Sequence, residues 1–176
     1  MSGVGIRKDI TLGALAAGLA LAGCGGSDGP GSKVAGRSWN AVDACATLGR
    51  EKAAALGGAA VSNTKLDPIS AGGNGLAAAS MCTFTYANGA TLMVLTREAP
   101  DADATSTAIE TARTGGGLTP PADPVPGLGK AAFWSVTGKQ AQLFIDDRRY
   151  VVINFFKLPA GEDAKARSLA VAKALL

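Results

Sequence analysis

The sequence predicts an α+β domain: an antiparallel sheet of about five strands with helices packed on one face, in the order αββ-α-βββα. Three observations carry this. Cys82, Phe84 and Tyr86 alternate with Thr83 and Thr85, and Asn88-Gly89 then offers a turn back into Thr91–Thr96, the pattern of a hairpin. Three further strand-like runs, Ala131–Val136, Gln140–Ile145 and Tyr150–Lys157, are separated only by Gly138 and Asp146-Asp147, so they also connect as hairpins. Helical stretches that end in glycine flank these strands, and hairpin connections with helices at the margins favour an antiparallel sheet covered by helices.

The elements follow in order. Asn40 is placed to cap a helix over Ala41–Leu56, with Asp43 in its first turn, where a negative charge suits the helix dipole. Val42, Cys45 and Leu48 share one face, and Gly57-Gly58 stops the helix. Residues 59–77 are small and read as loop. After the first hairpin, Pro100-Asp101 opens a short helix around Asp103–Arg113, which ends at Gly115-Gly116-Gly117. A loop with Pro120, Pro121, Pro124 and Pro126 leads to the three strands. Glu162 and Asp163 start a last helix, with Leu169, Ala172 and Leu176 as its apolar stripe and Lys173 near its end.

The first 24 residues read as an address. Arg7 and Lys8 give a positive start, Ile10–Leu21 is an uncharged apolar run of 12 residues, and Leu21-Ala22-Gly23-Cys24 closes the segment. A charged start, a short apolar core and small residues at a cut describe a secretory signal. The run falls short of the ~20 apolar residues that a spanning helix needs. Leu21-Ala22-Gly23-Cys24 resembles the lipobox of bacterial lipoproteins. That resemblance implies a diacylglycerol on the Cys24 thiol and cleavage just before it, so that 1–23 is a signal peptide. Lipid on Cys24 then makes a membrane the first partner, because each buried CH₂ adds about 0.8 kcal/mol and stable anchoring takes more than one chain.

Residues 24–37 form the lipidated cysteine and a glycine- and serine-rich flexible tether, which spans roughly 20 Å as a coil. Residues 38–176 form the single domain. The 153 residues left after the cut bury about 70% of their unfolded surface, enough for a core without metal. Gly25 rather than Asp follows Cys24. The resemblance therefore implies the outer membrane, facing the periplasm, in a Gram-negative host.

Two cysteines remain, Cys45 and Cys82, an even pair in an oxidising compartment, and a disulfide between them is expected. The domain also resembles small extracytoplasmic lipoproteins of unknown function, described mostly from actinobacteria. The resemblance rests on Asp43-Ala44-Cys45, on Cys82-Thr83-Phe84 and on Gly127-Leu128-Gly129-Lys130-Ala131-Ala132, with Lys130 where an acidic residue is common. It implies an address and a fold type, not an activity.

Several motifs bear on chemistry, and each has a plainer reading. Gly127–Ala132 fits G-x-G-x-x-A, but a proline-rich loop precedes it and a strand follows, so a tight turn is expected in place of a dinucleotide site. Ser62-Asn63-Thr64-Lys65 matches S-x-x-K without the partner elements of penicillin-recognising enzymes. Asp101-Ala102-Asp103 and Asp146-Asp147 are expected to cap a helix and to charge a turn; calcium would need six to eight oxygens. Trp134 adjoins Phe133 on a strand, so one of the two must face out or meet a helix. The chain has no histidine, its 17 basic residues are scattered, and its net charge of +3 falls to +2 once Arg7, Lys8 and Asp9 leave. No metal site, no cofactor, no nucleic-acid partner and no enzymatic activity are expected. The function expected is that of a lipid-anchored envelope lipoprotein, a binding or protein-interaction module for an envelope protein or polymer. The alternative is a carrier of a lipid or other apolar ligand, held between sheet and helices.

Overall fold

The computed structural model describes residues 39–117 and 121–176. The expected signal peptide 1–23, lipidated Cys24 and tether 24–37 lie outside the described residues, as do residues 118–120. The elements run α1 Ala44–Leu48, α2 Arg50–Gly57, β1 Val61–Gly73, β2 Leu76–Tyr86, β3 Thr91–Glu98, α3 Ser106–Thr114, β4 Asp123–Pro124, β5 Ala131–Ser135, β6 Gln140–Phe144, β7 Arg149–Phe156 and α4 Ala164–Ala174. The class is α+β, and the strands form one open antiparallel sheet in the order β1-β2-β3-β7-β6-β5-β4.

The sheet has seven strands where about five are expected. The short β4 is added by the proline-rich loop, and β1 lies within 59–77, read above as loop. Most β1 side chains are exposed, and its register shifts between Val61 and Asn63 and between Pro68 and Ser70. An edge strand with two irregularities shows no alternating pattern; pairing with β2 holds it. Asn74-Gly75, at φ 51° and 78°, turns β1 into β2 as a two-residue hairpin. The expected hairpin of β2 and β3 forms, but its loop is three residues, Ala87–Gly89: Tyr86 N–H donates to the Ala90 carbonyl, and Gly89 takes φ 83°.

The first helix departs from Ala41–Leu56. Gly49, at φ 78° and ψ 143°, splits it into α1 and α2. The N-cap is Asp43, whose carboxylate accepts the Ala46 N–H at 2.8 Å, and Asn40 instead accepts the Val42 N–H in the turn before it. α3 is capped by Thr105 and α4 by Asp163.

Cys45 and Cys82 are joined, Cα to Cα 5.0 Å, so the expected disulfide links α1 to β2. Beside it, the buried Ser80 hydroxyl accepts the Ala44 N–H and donates to the Ala41 carbonyl, both at 2.8 Å, and Thr96 reaches the same carbonyl. α2 and α4 cap one another. Lys52 donates to the Ala174 carbonyl and Arg167 to that of Leu56, satisfying acceptors that a helix end leaves free. Between these helices and the sheet lie Leu48, Ala53, Val171 and Ala172 against Phe84, Tyr86, Leu92, Val94, Leu143 and Ile153. Tyr86 donates its hydroxyl to the Ala53 carbonyl, and its ring lies where a Cβ on Gly57 would be, at 2.2 Å.

The helices do not all share one face. Along β5, Ala132 and Trp134 join the main core, while Phe133 points the other way into a second cluster with Phe144, Ala104 and Ala122, against which Ile109 and Ala112 of α3 pack. Phe133 thus takes the helix that its pairing with Trp134 requires, and α3 lies opposite α1, α2 and α4.

Two measurements check these contacts. Reduction of the Cys45–Cys82 bridge, which spans 37 residues of sequence, should lower stability by about 4 kcal/mol on the chain-entropy account, read as a shifted urea midpoint. Burial raises the Tyr86 and Tyr150 hydroxyls to about 12, with Arg167 and Arg97 respectively opposing it. The unfolded phenols ionise near 10, so this contribution is full below pH ~10 and is lost as pH climbs toward 12. Melting temperature should fall over that window, and less steeply in Tyr86→Phe.

Candidate functional site

The two faces of the sheet are not equivalent. On the helix side, successive rows Ser80–Thr96–Val151, Cys82–Val94–Ile153 and Phe84–Leu92–Phe155 cross β2, β3 and β7, all at most 3% exposed. On the other side the register sets Met81–Leu95–Val152, Thr83–Met93–Asn154 and Thr85–Thr91–Phe156 in rows. α3 packs at the β5 and β6 side of this face through Phe133, Phe144 and Tyr150. Toward β2 and β3, Met81, Met93, Leu95 and Val152 remain partly open to solvent, and Phe156 is 46% exposed. The result is an apolar strip across three adjacent strands, rimmed by threonines. Met81 and Met93 are the only methionines after Met1, and methionine is a flexible, polarisable side chain suited to contact surfaces of varied shape.

Polar groups border the strip. Asn154, 4% exposed, donates from Nδ2 to the Gly138 and Lys139 carbonyls at 3.2 and 3.4 Å, which fixes its amide, and its buried Oδ1 has no partner. Gln142 accepts the Tyr150 hydroxyl at 2.7 Å. Arg97 pairs with Asp103 at 2.5 Å at one margin, and Lys65 with Asp67 at 2.7 Å on β1.

The motifs weighed for chemistry are dispersed. Ser62 lies on β1, exposed, its hydroxyl donating to the Thr85 carbonyl, and Lys65 is engaged with Asp67. Gly127 and Gly129 have positive φ, and a Cβ on Gly129 would meet the Phe144 carbonyl at 2.4 Å; the segment is the tight turn expected before β5. Lys130 bonds the Ala104 carbonyl and the Asp147 carboxylate. Asp146 closes the β6–β7 turn. Burial disfavours its charge, but the Arg148 and Arg149 N–H groups and the Arg149 guanidinium outweigh this and hold its carboxyl below the usual range. Arg149 also lies over the Trp39 ring at 5.5 Å. Among the described residues no three His, Cys, Asp or Glu side chains cluster as metal ligands would. No helix of the described residues is long and apolar enough to cross a membrane.

A shallow groove of about 330 Å³ lies between α2 and α4, lined by Ala55, Leu56, Ala166 and Ala170 with Glu162, Asp163 and Arg167. It is on the outer surface of the helices, not between helices and sheet, and Arg167 within it is engaged with Glu162 and the Leu56 carbonyl.

The open strip escapes a reading that assigns one parity of each strand to the core. Its signal is present: β3 reads Leu92-Met93-Val94-Leu95 and β7 reads Val151-Val152-Ile153, apolar at both parities, as in strands buried on both sides.

No family model matches the chain. No curated protein matches it, and no solved structure matches its fold. What the geometry defines is a class of architecture: an open seven-stranded antiparallel sheet, disulfide-tied to helices on one face and partly bare on the other.

The bare strip predicts an asymmetry in tolerance. Met93→Gln should change stability by under ~1 kcal/mol, whereas Leu92→Gln, one residue away in the closed core, should cost ~3 kcal/mol or more. Urea unfolding of both variants measures the difference.

Proposed function

We propose that this chain is the precursor of a lipid-anchored envelope lipoprotein, cut before Cys24 and acylated on it, whose domain binds a protein partner through the open strip of its sheet. The lipobox-like Leu21-Ala22-Gly23-Cys24 supports the anchor. The single observation that supports binding is the apolar strip Met81, Leu95, Val152, Met93 and Phe156. A partner segment with aliphatic side chains fits it. In this reading the domain has no catalytic role, no cofactor and no nucleic-acid partner. In a Gram-negative host it faces the periplasm from the outer membrane.

The anchor and the strip are tested separately. Globomycin or Cys24→Ala should leave uncut precursor in the membrane fraction; a soluble mature form from Cys24→Ala would reject the anchor. For the strip, photo-reactive methionine incorporated in cells reports Met81 and Met93 once Met1 has left with the signal. A discrete protein adduct is expected, lost in Met93→Glu at unchanged melting temperature. Adducts to lipid alone would favour the carrier of an apolar ligand.

A further inference from the structure

We propose that the Asn74-Gly75 end of the β1–β2 hairpin, with Leu76 and Val42, is a membrane-contact surface that seats the domain upright on the bilayer carrying its anchor. The inference rests on the reading that Cys24 is acylated.

Three observations meet at this end of the sheet. The chain enters the domain there: Trp39 lies under Arg149, the first residue of β7, which pairs with Glu98, and Glu98 pairs in turn with Ala78 of β2. The Ala41 carbonyl, held by Ser80 and Thr96, fixes the entering chain across β2 and β3. The hairpin then runs two residues past Ala78 to the Gly73–Leu76 pair, projecting about 7 Å beyond that row before its turn. Leu76 is 65% exposed, and Val42 on the entering chain is 42% exposed. Even-numbered β2 residues share the helix-side face, so Leu76 follows Ala78 and Ser80 on the side where the chain enters.

The charge pattern points to lipid. No charged residue occurs between Asp67 and Arg97, so both arms of the tip and its turn are uncharged. Behind the tip the charged groups are paired, Arg148 with Glu98, Arg149 with Asp146 at 2.6 Å, Arg97 with Asp103 and Lys130 with Asp147, at the depth where headgroups would lie. An uncharged apolar tip with ionic groups set behind it has the layering of an interfacial anchor.

The length of chain outside the described domain selects this occupant over others. Only 14 residues, Gly25 to Ser38, lie between Cys24 and the entering end, so an acylated Cys24 keeps that end nearer the bilayer than the opposite end of the strands. The opposite end of the strands has no such constraint. With the tip seated, the strands stand along the membrane normal, and the open strip of β2, β3 and β7 faces sideways, free for a partner.

The test uses the processed full chain, purified with its anchor and reconstituted in liposomes of phosphatidylcholine and phosphatidylglycerol with brominated acyl chains, which quench tryptophan on contact. Leu76→Trp places a reporter at the tip, and Phe156→Trp places one at the far end of β7. Both positions are exposed, and the parent protein corrects for Trp39 and Trp134. Mass spectrometry of the N-terminal peptide reports acylation of Cys24 independently. Quenching of the tip reporter at least twofold stronger than that of the far reporter supports the proposal. An acylated protein in which the two quench equally, or neither does, overturns it while leaving the anchor intact. A tip reporter that shifts to the blue with protein concentration but is not quenched assigns the tip to a second copy, and also overturns it. Absence of lipid on Cys24 removes the anchor reading and the proposal with it.

Discussion

The structure depends on the seam between the first helix and the second strand. Ser80, in a fully buried position, takes the Ala44 N–H and gives its proton to the Ala41 carbonyl, and two residues further along β2 Cys82 is bonded to Cys45. A buried hydroxyl without partners would be costly, so these bonds admit one docking of α1 on the sheet. That docking decides which face of β2 and β3 is covered. It also fixes where the chain enters, and it begins the helical layer that α2 and α4 complete through their reciprocal caps.

From the seam follows the inequality of the two faces. Three helices close one side over Phe84, Tyr86, Leu92 and Ile153. On the other, among the described residues, the nine-residue α3 packs with Ala104 and Ala122 at the β5 and β6 side. Apolar side chains at both parities of β3 and β7 therefore meet different fates: Val94 and Ile153 are closed in, while Met93, Leu95 and Val152 stay partly wet. Contiguous apolar surface on a domain of this size is the usual mark of an interaction site.

Local chemistry was legible wherever a feature needs only neighbours in sequence. The β2–β3 hairpin follows from alternation and a glycine turn, α4 from Asp163 and its small residues, and the tight turn at Gly127–Gly129 from its glycines. Parity and the expected compartment pointed to the bond between Cys45 and Cys82. The sequence also carries the Phe133-Trp134 pair, one of which must face out or meet a helix, and the structure supplies the helix. What it left open has one cause: contacts between distant segments. β1 is a strand because β2 offers it hydrogen bonds, despite Pro68 and two irregularities in its register. α1 ends at Gly49 because the backbone there takes a conformation that the helical pattern of Ala41–Leu56 does not announce. The strip stays open because α3 packs against Phe133 and Phe144 and not across Met93 and Leu95. By itself the sequence determined the α+β class, the turns and the paired cysteines, since each is encoded within a few residues or by simple parity. The tertiary structure alone decided the two added strands, the face that α3 takes and the surface left bare, because burial is settled by which elements meet, and no single segment holds that information.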